Sequence, residues 1–288
     1  MVSRSAAHTF TPQQLEGPFF LDTRTFRRDL TNGRPGVPLY LCLRVVGGCG
    51  SGDDGCQPRR DALVDVWHTD SRGIYRYVVC TGSSLATVKG RESGVALRLG
   101  SEFLRFSTRY RTAEHSPSDA TGGGGSSSPL LGFSDRGVNA TASDWMRGAA
   151  VSSSDGGVLF RSIIPGWYPG RLAHVHVKVR LAGLAAPIVP GYSSGNSGGW
   201  RGFTTQLYLP DPLVRSVYAN PPYRSLWSYD SDVGHDIVLA GDAAEYAALT
   251  MDVWPATAAW VKDNGLNRGE PDRWGLGYVA KYTLRLMG

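Results

Sequence analysis

The run Ile164-Pro165-Gly166-Trp167-Tyr168-Pro169-Gly170-Arg171-Leu172-Ala173-His174-Val175-His176 brings a phenol, a guanidinium and two imidazoles into one short stretch. Side chains alternate faces along a strand. His174 and His176 therefore point one way, while Val175, Val177 and Val179 point the other, into an apolar core. Two neutral imidazoles on one face are a candidate metal pair, and the identity of the ion depends on what completes the shell. A solvated sheet face fits the same pattern, because Lys178 and Arg180 continue the histidine face. A cupin-like site would want a glutamate soon after the second histidine, and residues 177–183 hold none. A zinc hydrolase built on the pair is a further alternative.

The elements that would hold these residues read as short strands. Segments 38–46, 62–67, 74–79, 157–164, 172–181 and 203–209 are expected strands, with later ones near 236–240 and 278–286. Leu39, Leu41, Leu43 and Val45 share one face of the first, and Ala62, Val64 and Val66 share one face of the second. Residues 243–262 offer one interrupted helix or two short ones, with Pro255 as the break. The expected fold class is all-β: a β-sandwich of mostly antiparallel strands, with long loops and minor helix. One domain over residues 1–288 is expected, carrying a flexible Gly/Ser-rich insertion at about 81–144, either a mobile lid or a surface excursion.

A second phenol comes from Ala62-Leu63-Val64-Asp65-Val66-Trp67-His68-Thr69-Asp70-Ser71-Arg72-Gly73-Ile74-Tyr75. Here Tyr75 follows a glycine turn that would project it from a strand start. With these residues in view, the chain resembles the intradiol ring-cleavage dioxygenases, which open catechol rings at a ferric ion. The resemblance rests on Glu16-Gly17-Pro18-Phe19-Phe20, Val64-Asp65-Val66-Trp67-His68 with Gly73-Ile74-Tyr75, and Met146-Arg147-Gly148. It continues through Ile164-Pro165-Gly166-Trp167-Tyr168 with Arg171-Leu172-Ala173-His174-Val175-His176 to Thr205-Gln206-Leu207-Tyr208. It spans roughly residues 15–225.

The resemblance implies Tyr75, Tyr168, His174 and His176 as ligands of Fe(III), with Arg171 and Gln206 lining the substrate pocket and Leu15 and Pro18 bordering the ring. It also implies a catechol-type small molecule and O2 as partners, with both oxygen atoms entering the product between the two hydroxylated carbons. Tyr168 would accept a substrate proton, and Arg171 would offset charge on the ring. Phenolate is a hard anionic donor suited to Fe(III), and a bound cation favours the deprotonated phenol. His68 is expected to be a structural or hydrogen-bonded histidine instead of a further ligand. In many secreted relatives a cysteine directly follows the W-H pair. Thr69 stands there in this chain, so Cys56 cannot pair with that position, and Cys80 is the substitute the resemblance suggests. The alternative function is a noncatalytic β-sandwich module that keeps the scaffold and binds aromatics or glycans.

Other features bound the function. The formal charge is +5, from 30 Lys and Arg against 25 Asp and Glu, but the basic residues form no run or stripe. Nucleic acid is therefore not an expected partner. No apolar stretch approaches the roughly 20 residues that span a bilayer, so no membrane is expected. No apolar leader core is visible at the start, which makes a cytoplasmic location the expectation and secretion the alternative. Cys42, Cys49, Cys56 and Cys80 form local disulfides or stay as buried thiols. Asn139-Ala140-Thr141 is a sequon. The oligomeric state, monomer or homodimer, stays open.

Overall fold

The computed structural model describes residues 10–17, 19–20, 25–48, 55–75, 145–181, 202–223, 231–266 and 275–287. The insertion at 81–144, the sequon, Pro18, Cys49, Cys80 and most of the expected 74–79 strand lie outside the described residues. The order is β1 (Pro38–Gly47), β2 (Gln57–Pro58), β3 (Leu63–Trp67), β4 (Arg147–Val151), β5 (Gly157–Ile163), β6 (His174–Arg180), β7 (Gly202–Tyr208), α1 (Asp211–Tyr218), α2 (Ala243–Leu249), β8 (Asp252–Pro255), α3 (Ala258–Asp263) and β9 (Tyr278–Leu286).

Two sheets form. One has the order β4-β3-β6-β7, and all its pairs are antiparallel. The other runs β2-β1-β9-β8 with β5 also on β1, and only β1 with β9 is parallel. The alternating leucines of β1 meet the valines of β3 and β6 in one cluster. Leu39, Leu41, Leu43, Val64, Val66, Val175, Val177 and Val179 are all buried there. Each such side chain contributes about 1.5–3 kcal/mol on leaving water. The architecture is the all-β sandwich expected from the strand pattern.

The reading of β6 as a solvated face is overturned. Every residue from His174 to Arg180 is buried, the polar ones included. The N-terminal segment covers that face: Gln14 N donates to Thr204 O at 3.1 Å, and Gln206 Nε2 donates to Leu15 O at 2.8 Å. Lys178 pairs with Glu16, and Arg180 Nε lies 3.5 Å from Asp65 Oδ2. Buried charges need such partners. Residues 236–240, expected to be a strand, form a turn instead, because the Asp236 carboxylate takes up the Val238 and Leu239 N–H groups at 2.9 and 3.0 Å. The helical region contains two helices with β8 between them, and Asp242 and Thr257 cap α2 and α3. Cys42 is a free thiol pushed up to about 11 by burial, whereas Cys56 is disulfide-bonded to a partner outside the described residues.

His68 is structural, as its neighbours imply. Its Nδ1 meets Thr69 O and its Nε2 meets Ser162 Oγ, both at 2.7 Å. Burial pulls its pKa down to about 4, outweighing the Thr69 carbonyl. The folded chain then keeps His68 neutral, while the unfolded chain protonates it below about pH 6.5. This contribution to stability is present above pH 6.5 and is lost as pH falls towards 4, by up to about 3 kcal/mol. Denaturant midpoints of metal-free protein at pH 7 and pH 4.5 should therefore fall less in His68→Asn than in wild type. Equal slopes would remove His68 as the source.

Candidate metal centre

Register across the first sheet builds the site. Arg147 faces Trp67, Trp67 faces His176, and His176 faces Gln206 in one row, with His174 opposite Tyr208 in the next pair. Side chains at directly opposed positions share a face. One sheet face thus gathers two imidazoles, an amide and a phenol from two neighbouring strands.

The other two phenols come from loops locked backbone to backbone. Gly73 has φ +77°, and a Cβ there would lie 1.9 Å from Trp167 O; a Cβ on Gly166 would lie 2.4 Å from Gly73 N. Asp70 O accepts from Gly166 N at 2.8 Å and from Gly73 N at 3.0 Å, and Thr69 Oγ1 donates to Gly166 O at 2.7 Å. The glycines allow the Tyr75 and Tyr168 segments to touch. Gly73→Ala combines a left-handed backbone with a clash against a fixed carbonyl. It should lower thermal stability and displace both tyrosines. An unchanged melting temperature and unchanged ferric binding would contradict this.

Four donor atoms converge. His174 Nε2 lies 3.3 Å from Tyr75 Oη, 3.4 Å from Tyr168 Oη and 3.2 Å from His176 Nε2, and His176 Nε2 lies 3.0 Å from Tyr75 Oη. Donors about 2.0–2.2 Å from a common cation lie about 2.8–3.6 Å apart for right-angled to tetrahedral arrangements. These spacings fall in that range. Leu172 O lies 2.6 Å from His174 Nδ1, which assigns the imidazole proton to Nδ1 and leaves Nε2 one lone pair. Arg171 Nη1 also approaches Nε2, at 3.4 Å. One lone pair cannot serve four neighbours, whereas a cation at their centre satisfies all the anionic and neutral donors.

Protonation fits the same arrangement. Burial, above all, holds His174 and His176 well below the usual histidine range, so both are neutral, as ligands must be. Burial raises Tyr75 and Tyr168 above the ordinary phenol value, and Tyr168 beside Tyr75 adds to the shift there. A bound cation reverses that preference. Among the described residues, no group of three or more His, Cys, Asp or Glu side chains is placed to hold a metal ion. A coordination sphere built from the described residues at this point would therefore have to include the phenols.

Arg171 is buried beside the donors. Its Nε donates to Asp236 Oδ1 and Oδ2 at 3.3 and 3.1 Å, its Nη1 to Tyr168 Oη at 3.4 Å, and its Nη2 to Gln206 Oε1 and to Tyr208 Oη at 3.3 Å. Burial opposes its charge, yet Asp236 and the surrounding phenols raise its pKa, so it stays a cation. All six predicted residues Tyr75, Tyr168, Arg171, His174, His176 and Gln206 are brought together. Leu15 reaches them through its carbonyl on Gln206.

Sequence reasoning missed three participants. Asp236 is fully buried and holds Arg171. Tyr208 donates to Gln14 Oε1 at 3.1 Å while accepting from Arg171. Phe19 stacks on Tyr75 with ring centroids 4.5 Å apart. Tyr208 and Phe19 lie within the quoted motifs and could have been found there. Asp236 carried no signal.

No family model matches the chain, and no curated protein matches it. Solved structures do. A crystal structure of a dioxygenase matches with a TM-score of 0.55 at 16% identity, covering 97% of this chain and 94% of that one. An intradiol ring-cleavage dioxygenase from Tetranychus urticae matches with a TM-score of 0.54 at 16% identity, covering 97% and 95%. At this identity the likeness is one of fold: the chain has the architecture of those dioxygenases.

Proposed function

We propose that this chain is a non-heme ferric dioxygenase that opens catechol-type rings between the two hydroxylated carbons and incorporates both atoms of O2. Tyr75, Tyr168, His174 and His176 are the ligands in this reading, and Arg171 and Gln206 stand beside the substrate. The observation that carries it is the closure of two phenol oxygens and two imidazole nitrogens around one point, at spacings of 3.0–3.4 Å. When bound, the ferric ion supplies the redox chemistry and makes the coordinated catechol ring reactive towards O2.

The protein supplies charge, orientation and dryness. Tyr168 Oη takes a proton from a substrate hydroxyl, since burial leaves its free phenolate a strong base. Arg171, fixed from three sides, offsets negative charge on the ring in a water-poor site. Gln206 has its amide set by Leu15 O, so its oxygen faces Arg171. The four ligand side chains are all buried, which keeps competing water away.

Loading the protein with ferric ion should give one ion per chain and a tyrosinate-to-iron absorption band in the visible. Oxygen uptake is then measured over a panel of catechol, protocatechuate, hydroxyquinol and larger phenolics, with the ring-opened dicarboxylate identified. A colourless protein that holds no ferric ion would overturn the proposal and favour a noncatalytic binding module.

A further inference from the structure

The two histidines are held by different means. His174 has the arrangement usual for a metal-binding imidazole, with Nδ1 bonded to a backbone carbonyl at 2.6 Å. His176 lacks it: its Nδ1 is buried and has no hydrogen-bond partner among the described residues. A ring without such a bond is free to turn about its Cβ–Cγ axis unless something blocks it.

What lies against His176 is Trp67. The two residues sit directly opposite each other on β3 and β6, and their rings are stacked, with centroids 4.9 Å apart and an interplanar angle of 11°. Phe20 packs on Trp67 at 4.8 Å. The backbone at Gly17 comes so close that a Cβ there would lie 3.4 Å from His176 Cε1. Turning the imidazole would drive its edge into the indole face.

The indole has a feature that packing alone does not explain. Trp67 is 2% exposed, and its Nε1–H has no hydrogen-bond partner among the described residues. A buried, unpaired donor is costly, and an apolar side chain would fill the position without it. A wide flat face towards His176 accounts for the tryptophan.

We propose that Trp67 is a positioning residue for His176: its indole face, in place of an acceptor at Nδ1, fixes the imidazole plane that aims Nε2 at the donor cluster. This rests on the reading of that cluster as a ferric site. Ring planarity, not volume, is the property that matters. Trp67→Phe keeps a flat face, and Trp67→Leu removes it.

The test measures ferric affinity in wild type, Trp67→Phe and Trp67→Leu by competition with a chelator of known strength, followed at the visible band. Thermal unfolding of the metal-free proteins runs alongside. Both variants should lose comparable thermal stability, since both give up part of the indole volume. Trp67→Phe should hold ferric ion within about twofold of wild type, whereas Trp67→Leu should bind roughly tenfold or more weakly, as expected when an outer partner of a ligand is lost. Equal affinity in wild type and Trp67→Leu would overturn the inference. So would equal weakening in both variants, which indicates packing alone. Trp67→Met, flexible and non-planar, replaces the leucine variant if that one does not fold. If wild type takes up no ferric ion, the reading of the site falls and this inference falls with it. Uptake by wild type with unaltered leucine and methionine variants sinks the inference alone.

Discussion

Replacing His174 by alanine should give a folded, colourless protein that retains no ferric ion and opens no catechol ring. His174 Nε2 is the atom around which the others are arranged, with Tyr75, Tyr168, His176 and Arg171 all at 3.2–3.4 Å. Without it three donors remain, and two of them are phenols that burial holds in the neutral form. Each must lose a proton to bind, so fewer donors also means less reason for either to ionise. Loss of an outer partner of a metal ligand costs about 10–100-fold in affinity, and loss of the ligand itself should exceed that. The fold should persist, because the sandwich core on the other face of β6 contains Val175, Val177 and Val179 and is untouched. Metal analysis, the visible band and oxygen uptake check this together. Wild-type iron content in His174→Ala would contradict the proposed ligand set.

The histidine pair was legible because strand periodicity is rigid: valine on one face of β6 fixes histidine on the other. The same rule exposed β1, β3, β5, β7 and β9, where β-branched and leucine residues alternate or run together. It failed at β4, where Arg147-Gly148-Ala149-Ala150 offers weak strand formers before an exposed Val151, and pairing with β3 makes the segment a strand. It failed again for the polar face of β6. Burial of His174, His176, Lys178 and Arg180 depends on a segment more than 150 positions earlier, where Leu15 and Glu16 take up Gln206 and Lys178. Periodicity describes one strand and carries no information about what covers it.

Asp236 shows the same limit at one residue. Its neighbours Ile237, Val238 and Leu239 read as strand, yet the carboxylate caps the Val238 and Leu239 N–H groups and bends the chain. The bend brings Ile237 N to Gly170 O at 3.0 Å and places the carboxylate under Arg171. Side chains of aspartate compete with sheet ladders in this way, and a tertiary partner decides the outcome.

Asp236→Asn is therefore expected to have the largest effect on stability. The carboxylate is fully buried, and its Oδ2 accepts from Leu172 N at 2.7 Å and from Arg171 Nε at 3.1 Å, while Oδ1 serves Val238 and Leu239. An asparagine can keep one oxygen, so its NH2 must face N–H donors on the other side. Arg171 is left as a buried cation without its counter-charge. Removing one partner of a buried pair costs about 3–5 kcal/mol, because the remaining charge stays desolvated. Chemical denaturation of Asp236→Asn should show a loss of that order. Ring cleavage should fall as well, since Arg171 then keeps only its neutral partners Gln206, Tyr208 and Tyr168 to orient it. Ferric ion should still bind, because Asp236 is not among the donors. Arg171→Met combined with Asp236→Asn removes the stranded charge, so the double variant should be more stable than the two single losses added together predict. Strict additivity would mean that the 3.1 Å pair contributes no coupling, and Asp236 would then act only through the backbone groups it caps.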